Sequence, residues 1–133
     1  MSKYAYPAVF EKEKSGGFSV YFPDLQGCYT QGDNIADAIS NAEDVLNLWL
    51  YDLEEKCAEI TPPSDIKSIE TNDKEFVTMI ACDTVEYRRY FDNKAVKKTL
   101  TIPNWLNTLS ERSHINFSSV LQKALMEELH IEH

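Results

Sequence analysis

Residues 17–33 have the sequence GFSVYFPDLQGCYTQGD. The run Phe18–Phe22 is rich in aromatic and aliphatic residues and predicts a strand. Proline has no amide donor, and the aspartate and glycine near it favour turns, so Pro23–Gly27 should end that strand. Cys28–Gln31 then predicts another short strand.

One more strand precedes these residues, and a long helix follows them. Tyr4–Phe10 is strand-like and is separated from Phe18 by a polar, glycine-containing turn, which predicts a β-hairpin. A helix over Ile35–Ala58, capped by Asn34, is predicted because its apolar residues recur at helical spacing. Those residues are Ile35, Ala38, Ile39, Ala42, Val45, Leu46, Trp49, Leu53 and Cys57. Three further apolar residues, Leu48, Leu50 and Tyr51, either extend the core or face a partner.

The chain then adds a fourth strand and a short helix. Thr61–Lys74 is polar and contains prolines, so it predicts a loop, and Phe76–Cys82 predicts a central strand. Asp83 is a suitable cap for a short helix over Thr84–Tyr90. The predicted fold class is α+β, with a small sheet and one long helix across it.

The last forty residues predict a separate module. Val96–Pro103 alternates between polar and apolar residues and predicts a strand, and Asn104–Arg112 has helical spacing. Ser118 is the predicted cap of a second helix, which follows a break in the pattern. A strand and two helices are too short to bury their own apolar surface, so we expect this module to form a homodimer.

Charge separates the same two parts of the chain. Residues 1–92 contain eight basic and eighteen acidic residues, a net charge of −10, whereas residues 93–133 have a net charge of +1. An acidic module is suited to a basic partner, because opposite potentials speed association. The overall charge of −9 therefore does not exclude nucleic-acid binding by the C-terminal module.

Neither an enzyme nor a cofactor site is indicated. Cys28, Cys57 and Cys82 are widely spaced, and we expect all three to be small buried residues rather than metal ligands or reactive thiols. The histidines, His114, His130 and His133, form no triad or complete metal-ligand pattern, and we expect them at the surface. Without a long apolar run or a signal sequence, the chain is expected to be cytoplasmic and not membrane-bound.

The C-terminal module resembles the ribbon-helix-helix repressors. Its strongest matching pieces are Lys98–Pro103 and the helix start at residues 117–119, within a resemblance over residues 96–131. In that family, paired strands enter the major groove and the second helix directs its N-terminus at a phosphate. The resemblance implies operator DNA as a partner. The implied contact residues are Lys97, Thr99 and Thr101 on the strand and Ser118 and Ser119 on the helix.

The N-terminal residues resemble the HicB antitoxin family. The resemblance rests on residues 17–33 and on the helix bearing Ala38 and Ala42, and it extends over residues 4 to about 90. It implies a partial ribonuclease-H-like domain that binds and silences a HicA-like, RNA-cleaving toxin and represses the shared operon. The expected organisation is a toxin-binding domain at 1–90, a linker at 91–95 and a ribbon-helix-helix domain at 96–133.

The contact residues for a toxin are less well defined by the sequence. Tyr29, Trp49 and Tyr51 are candidate anchors, because aromatic residues dominate interface energetics. Two other functions stay open. One is a transcriptional regulator whose N-terminal domain senses a small ligand. The other is a metal-dependent nuclease, whose carboxylates would be Asp24, Asp33 and Glu43.

Overall fold

A computed structural model describes residues 3–132 of the chain. The chain divides into two units, with the boundary between Lys94 and Ala95. His133 lies outside the described residues, so its predicted surface position is untested.

The N-terminal unit is built on one antiparallel sheet. Its strands are β1 (Lys3–Lys12), β2 (Phe18–Tyr21), β3 (Tyr29–Gly32) and β4 (Glu75–Asp83), in the order β3-β2-β1-β4. Phe22 and Cys28 bound the turn between β2 and β3, and the Phe22 amide donates to the Cys28 carbonyl at 3.1 Å. The four predicted strands and the α+β class are confirmed.

The long helix α1 (Ile35–Glu55) begins where the sequence predicts and ends earlier than expected. Asn34 caps it, and its Oδ1 accepts a 2.8 Å hydrogen bond from the amide of Asp37. The predicted end at Ala58 is wrong, because Cys57 adopts a left-handed backbone conformation with φ 52°. The Ala58 amide then donates back to the Leu53 carbonyl at 3.0 Å, which closes the helix in a Schellman arrangement.

The core of this unit lies between α1 and one face of the sheet. Four residues that follow one another at intervals of about one turn along α1 are fully buried: Ala38, Ala42, Leu46 and Leu50. They pack against the sheet residues Tyr6, Ala8, Phe10, Val20, Phe22, Ile80 and Cys82. Leu50 therefore extends the core, whereas Leu48 is more than half exposed.

Glycine allows α1 to approach β3 closely. A Cβ atom on Gly32 would lie 2.3 Å from the amide nitrogen of Ala38, so no larger residue fits at that position. The close approach places the first buried turn of α1 directly against the sheet.

A loop and a short helix complete the N-terminal unit. The loop over residues 61–74 contains one short 3-10 helix, Ile66–Ser68. After β4, helix α2 (Thr84–Phe91) begins at Asp83, whose Oδ1 accepts a 2.9 Å hydrogen bond from the amide of Val85. The predicted loop, cap and short helix are confirmed, and so is a strand over these residues, but the prediction that this strand is central is wrong, because β4 pairs only with β1 and forms an edge of the sheet.

The C-terminal unit contains two helices, α3 (Asn104–Arg112) and α4 (Phe117–Glu128). Helix α3 has its predicted bounds. Ser118 is the wrong cap for α4, because Asn116 occupies that position and accepts a 3.1 Å hydrogen bond from the amide of Ser119. Residues 95–103, where a strand is predicted, form no ladder in this single chain, which provides no partner strand for them.

Candidate interaction surfaces

The sheet face opposite α1 is the first candidate surface. We call it the open face and define it by Val9, Tyr21, Tyr29, Val77 and Met79. The strand register places them together, since Val9 pairs with both Tyr21 and Val77, and Tyr21 pairs with Tyr29. Tyr29 is 70% exposed, and Tyr21 and Met79 are each 43% exposed. Val9 is fully buried on this face and the 3-10 helix Ile66–Ser68 lies close to β4, so the exposed part of the open face is formed by Tyr21, Tyr29 and Met79.

The three candidate anchors for a toxin lie in different environments. Tyr29 is on the open face, whereas Trp49 and Tyr51 are on α1 and are partly buried. The Trp49 ring lies against Gly27, where a Cβ would be 3.2 Å from Cη2. The Tyr51 ring contacts Tyr87 at a centroid distance of 5.3 Å. Of the three, only Tyr29 presents most of its surface to a partner.

Sequence reasoning missed a polar cluster that joins α1 to α2 and β1. Glu54 is its centre, and its carboxylate accepts hydrogen bonds from the Tyr4 hydroxyl at 2.6 Å and the Thr84 hydroxyl at 3.0 Å. Arg88 contacts the same carboxylate at 3.1 Å and also pairs with Glu55. Burial, followed by the hydrogen bond to Glu54, raises the pKa of Tyr4 above its usual range. Glu54, Glu55 and Arg88, which the sequence alone would suggest are unpaired surface charges, are thus paired with one another.

The two buried cysteines, Cys28 and Cys82, are not reactive centres. Burial raises the pKa of the Cys28 thiol to about 11. Burial, with a smaller effect from Asp83, raises that of Cys82 to about 12. Thiols with such pKa values stay protonated near neutral pH and are poor nucleophiles. The expectation that Cys57 is buried is wrong, because it is the exposed residue that ends α1.

The carboxylates of the nuclease hypothesis have separate roles. Asp24 accepts hydrogen bonds from the amide of Ser64, at 2.9 Å, and from its hydroxyl, and so holds the loop after α1. Asp33 precedes the α1 cap, and Glu43 is exposed on α1. Within residues 3–132, no group of three or more histidine, cysteine, aspartate or glutamate side chains is arranged to hold a metal ion.

A shallow hollow lies in the N-terminal unit beside α2. It has a volume of about 760 Å³ and is bounded by the start of β1, the middle of α1 and the aromatic end of α2. Its charged residues are of both signs: Lys3, Glu43, Asp44, Asp83, Glu86 and Arg89. This mixed lining selects no single class of ligand.

The C-terminal unit leaves its apolar residues at the surface. Between residues 95 and 132 no described residue is buried. Eleven large apolar side chains in this range are 39% to 77% exposed: Val96, Leu100, Ile102, Trp105, Leu106, Leu109, Ile115, Phe117, Val120, Leu125 and Leu129. So much apolar surface on so short a segment is typical of a unit that is completed by association.

The candidate DNA contacts are all accessible. Lys97, Thr99 and Thr101 are exposed and share one side of the extended segment before α3. Ser118 and Ser119 are exposed in the first turn of α4. The amide of Ser119 is already bonded to Asn116, so the free donors of this turn are its preceding amides and the serine hydroxyls.

Comparison with known proteins assigns the chain to a family. The model of a HicB-like antitoxin of bacterial toxin-antitoxin systems matches residues 6–124. The chain belongs to the HicB-like antitoxin family. The resemblance noted in residues 17–33 is thereby confirmed, whereas the ribbon-helix-helix character of the C-terminal unit stays a prediction.

Solved structures resemble this HicB-like antitoxin in fold. A chain of the toxin-antitoxin complex from Streptococcus pneumoniae is 30% identical, with a TM-score of 0.60, and the match covers 95% of the antitoxin and 99% of that chain. A chain of a HicA3 and HicB3 toxin-antitoxin complex is 26% identical, with a TM-score of 0.51, and the match covers 60% and 99% respectively. Both neighbours come from complexes of a toxin with an antitoxin.

A shorter sequence relative matches only the N-terminal part of the HicB-like antitoxin. It is a UPF0150 protein of Synechocystis, 38% identical over 50 residues, and the match covers 38% of the antitoxin and 63% of the relative. The antitoxin thus spans less than two thirds of that relative's length. None of the helices within residues 3–132 combines the length and apolar character needed to cross a membrane.

Proposed function

We propose that this HicB-like antitoxin binds and neutralises a small, basic, HicA-like toxin that cleaves RNA, and that it represses its own operon by binding operator DNA. The N-terminal unit would hold the toxin, and the C-terminal unit would dimerise and bind DNA. The toxin part is supported by the family match and by two structural neighbours that are chains of toxin-antitoxin complexes.

Charge supports the toxin as the partner of the N-terminal unit. The net charge of −10 over residues 1–92 would speed encounter with a basic protein. The same charge would compete with RNA for the toxin's basic surface. We expect the sheet and crossing helix to correspond to a partial ribonuclease-H-like fold that acts by binding and not by catalysis.

The exposed apolar surface of the C-terminal unit is the observation that carries the dimer proposal. Burial of apolar area contributes about 25 cal/mol per Å², so leaving eleven large side chains in water is unfavourable. A second copy would cover Leu100 and Ile102 and would provide the strand that residues 96–103 lack. The two strands would form an antiparallel ribbon with Lys97, Thr99 and Thr101 on its outer side.

DNA binding by this dimer would use few charges. The C-terminal residues 93–133 have a net charge of only +1. Salt-dependent affinity grows with the number of phosphates that are neutralised, so a single dimer should bind weakly. We therefore propose that several dimers bind cooperatively to repeated half-sites.

Two assays test the proposed function with the full chain. The first is co-expression with the small basic protein encoded by the adjacent reading frame, followed by affinity purification and an RNA-cleavage assay of the partner with and without the antitoxin. The second is a gel-shift titration on the protein's own promoter, with a scrambled sequence of equal length as control. Failure to co-purify would remove the toxin role, and equal shifts of both DNAs would remove the operator role.

The nuclease alternative has its own test. RNA is incubated with the purified antitoxin and added magnesium or manganese. We expect no cleavage. Cleavage that is lost in Asp24→Ala, beside an intact Ser64→Ala control, would favour the nuclease instead.

A further inference from the structure

Strand β4 forms one edge of the sheet and is unusually long for an edge, and the 3-10 helix Ile66–Ser68 lies near it without adding a strand to the sheet. It has nine residues, Glu75–Asp83, and pairs with β1 on one side only. Its register with β1 runs without interruption from Lys3 opposite Asp83 to Glu11 opposite Glu75, so no bulge twists the edge away. Proline, lysine and bulges are the usual means by which proteins prevent an edge from pairing with other chains, and β4 has none of them.

The hydrogen-bonding pattern identifies the amides that face outward. The amide of Lys12 donates to Lys74, just before β4, at 3.2 Å, so the even-numbered residues of β1 direct their backbone groups toward β4. Pro7 agrees, because its position without a donor then faces away from β4. The even-numbered residues of β4 therefore bond to β1, and the backbone groups of Val77, Met79 and Ala81 point outward. Within residues 3–132, no strand pairs with β4 on the side that these three amides face.

The side chains along this edge are apolar in the middle and acidic at one end. Val77, Met79 and Ala81 extend the open face, and Met79 and Ala81 are exposed. Glu75 lies opposite Glu11 at one end of β4. At the other end Asp83 lies opposite Lys3 and also caps α2, so its charge is partly compensated. The end of the edge with a less compensated acidic side chain is therefore the end at Glu75, although Lys74 precedes it in the sequence.

Charge favours a different protein over a second copy of this chain as the partner of this edge. Full-length antiparallel pairing of two β4 strands would place Glu75 of each copy opposite Asp83 of the other. Directly opposed like charges destabilise a strand pair, and each unit already has a large negative charge. An extended segment with alternate apolar residues and a lysine or arginine beside Glu75 would pair without that repulsion.

We propose that the toxin adds an extended, basic segment as a fifth strand to the outer edge of β4. Main-chain hydrogen bonds to Val77, Met79 and Ala81 would provide affinity, and the open face would receive the alternate side chains of that segment. The inference rests on the proposed function for the identity of the partner. What is new is the position at which the toxin binds, the outer edge of β4, and the extended conformation of the bound toxin segment.

Proline at an outward amide tests the edge directly. Ala81→Pro removes one outward donor and no bond to β1, a position where edge strands tolerate proline. Ala81→Ser changes the same side chain and keeps the donor. With the purified product of the adjacent reading frame as the probe, we expect the Kd of Ala81→Pro to exceed that of Ala81→Ser by about tenfold, which is the loss expected for one or two interface hydrogen bonds. Equal Kd values would overturn the proposal.

Three further measurements remove the dependence on one variant. Thermal unfolding by circular dichroism establishes whether Ala81→Pro is folded. Glu75→Lys on the edge and Glu70→Lys in the loop change the net charge equally, and at low salt we expect Glu75→Lys to weaken toxin binding more. Hydrogen exchange of the wild-type chain should show slower exchange at residues 77, 79 and 81 when the toxin is added. If Ala81→Pro does not fold, the exchange result alone decides.

The outcomes separate this inference from the proposed function. Toxin binding without protection of those amides would overturn the edge proposal and leave the antitoxin role intact. Protection that grows with antitoxin concentration in the absence of toxin would assign the edge to a second copy and overturn the proposal. If wild-type antitoxin does not bind the toxin at all, the proposed function and the inference fail together.

Discussion

The guanidinium of Arg88 lies over the ring of Tyr51, with its Cζ atom 4.5 Å from the ring centroid. The same guanidinium contacts Glu54 at 3.1 Å, so one side chain of α2 is held to α1 by a ring and a carboxylate. Side chains of Glu54 and Arg88 are 13% and 29% exposed, so their ion pair is partly shielded from water.

Removing Arg88 should destabilise the N-terminal unit. Arg88→Ala leaves the shielded carboxylate of Glu54 without its cation, which we expect to lower the free energy of unfolding by about 1–3 kcal/mol. Lys56→Ala is the control, because its ion pair with Asp52 is exposed and should contribute less than about 0.5 kcal/mol. Urea unfolding followed by circular dichroism measures both, and equal effects would contradict the assigned role of Arg88.

Glycine at position 57 should stabilise the same unit. Cys57 has φ 52°, a conformation that costs a non-glycine residue about 1–2 kcal/mol, and glycine regains most of this at a smaller entropic cost. We expect Cys57→Gly to raise the free energy of unfolding by about 0.5–1 kcal/mol. Cys57→Ala keeps the strain and should give no comparable gain, so a gain of the same size in both variants would assign the effect to loss of the thiol.

The aromatic anchors should differ in what they affect. Tyr29→Ala removes a largely exposed ring, so we expect weaker toxin binding with a change in stability below about 0.5 kcal/mol. Trp49→Ala removes a ring packed on the core and should cost about 2–4 kcal/mol of stability. Isothermal titration with the toxin and thermal unfolding of both variants separate the two effects. Unchanged toxin affinity in Tyr29→Ala would exclude Tyr29 as an anchor.

The residues before α3 that we propose as a ribbon strand should divide into two kinds of DNA contact. If Thr99 reads a base, as we propose, Thr99→Ala should reduce discrimination between operator and scrambled DNA by about 1 kcal/mol or more. Lys97→Ala should instead reduce the slope of log affinity against log salt by about one if its contact is with a phosphate. Fluorescence anisotropy at several salt concentrations measures both quantities. Identical profiles for the two variants and the wild type would remove this strand from the DNA interface.

Local signals in the sequence were sufficient to locate the strands and helix starts of the N-terminal unit. Asn34 and Asp83 both cap helices as predicted, since a short polar side chain before a run at helical spacing leaves few alternatives. The end of α1 could not be read in the same way, because Cys57 is not a residue that usually adopts a left-handed conformation. The cap of α4 was misplaced by two residues, because Asn116 and Ser118 are both good caps.

Contacts between residues that are far apart in the sequence could not be predicted from it. The Glu54–Arg88 pair joins residues 34 apart, and no periodicity links them. The β-ribbon prediction depends on a second chain, so neither the sequence nor one copy of the structure can display its strand pairing. The apolar surface of residues 95–132 is the physical sign that such a partner is needed.

The mass of the full chain in solution, measured by analytical ultracentrifugation with and without its own promoter DNA, tests the central claim most directly. We expect a dimer of the 15.3 kDa chain, or a larger even-numbered assembly, that shifts promoter DNA. Leu100→Asp should dissociate this assembly, because it places a charge on the proposed dimer surface. A well-folded 15.3 kDa monomer that leaves the promoter unbound would contradict the account.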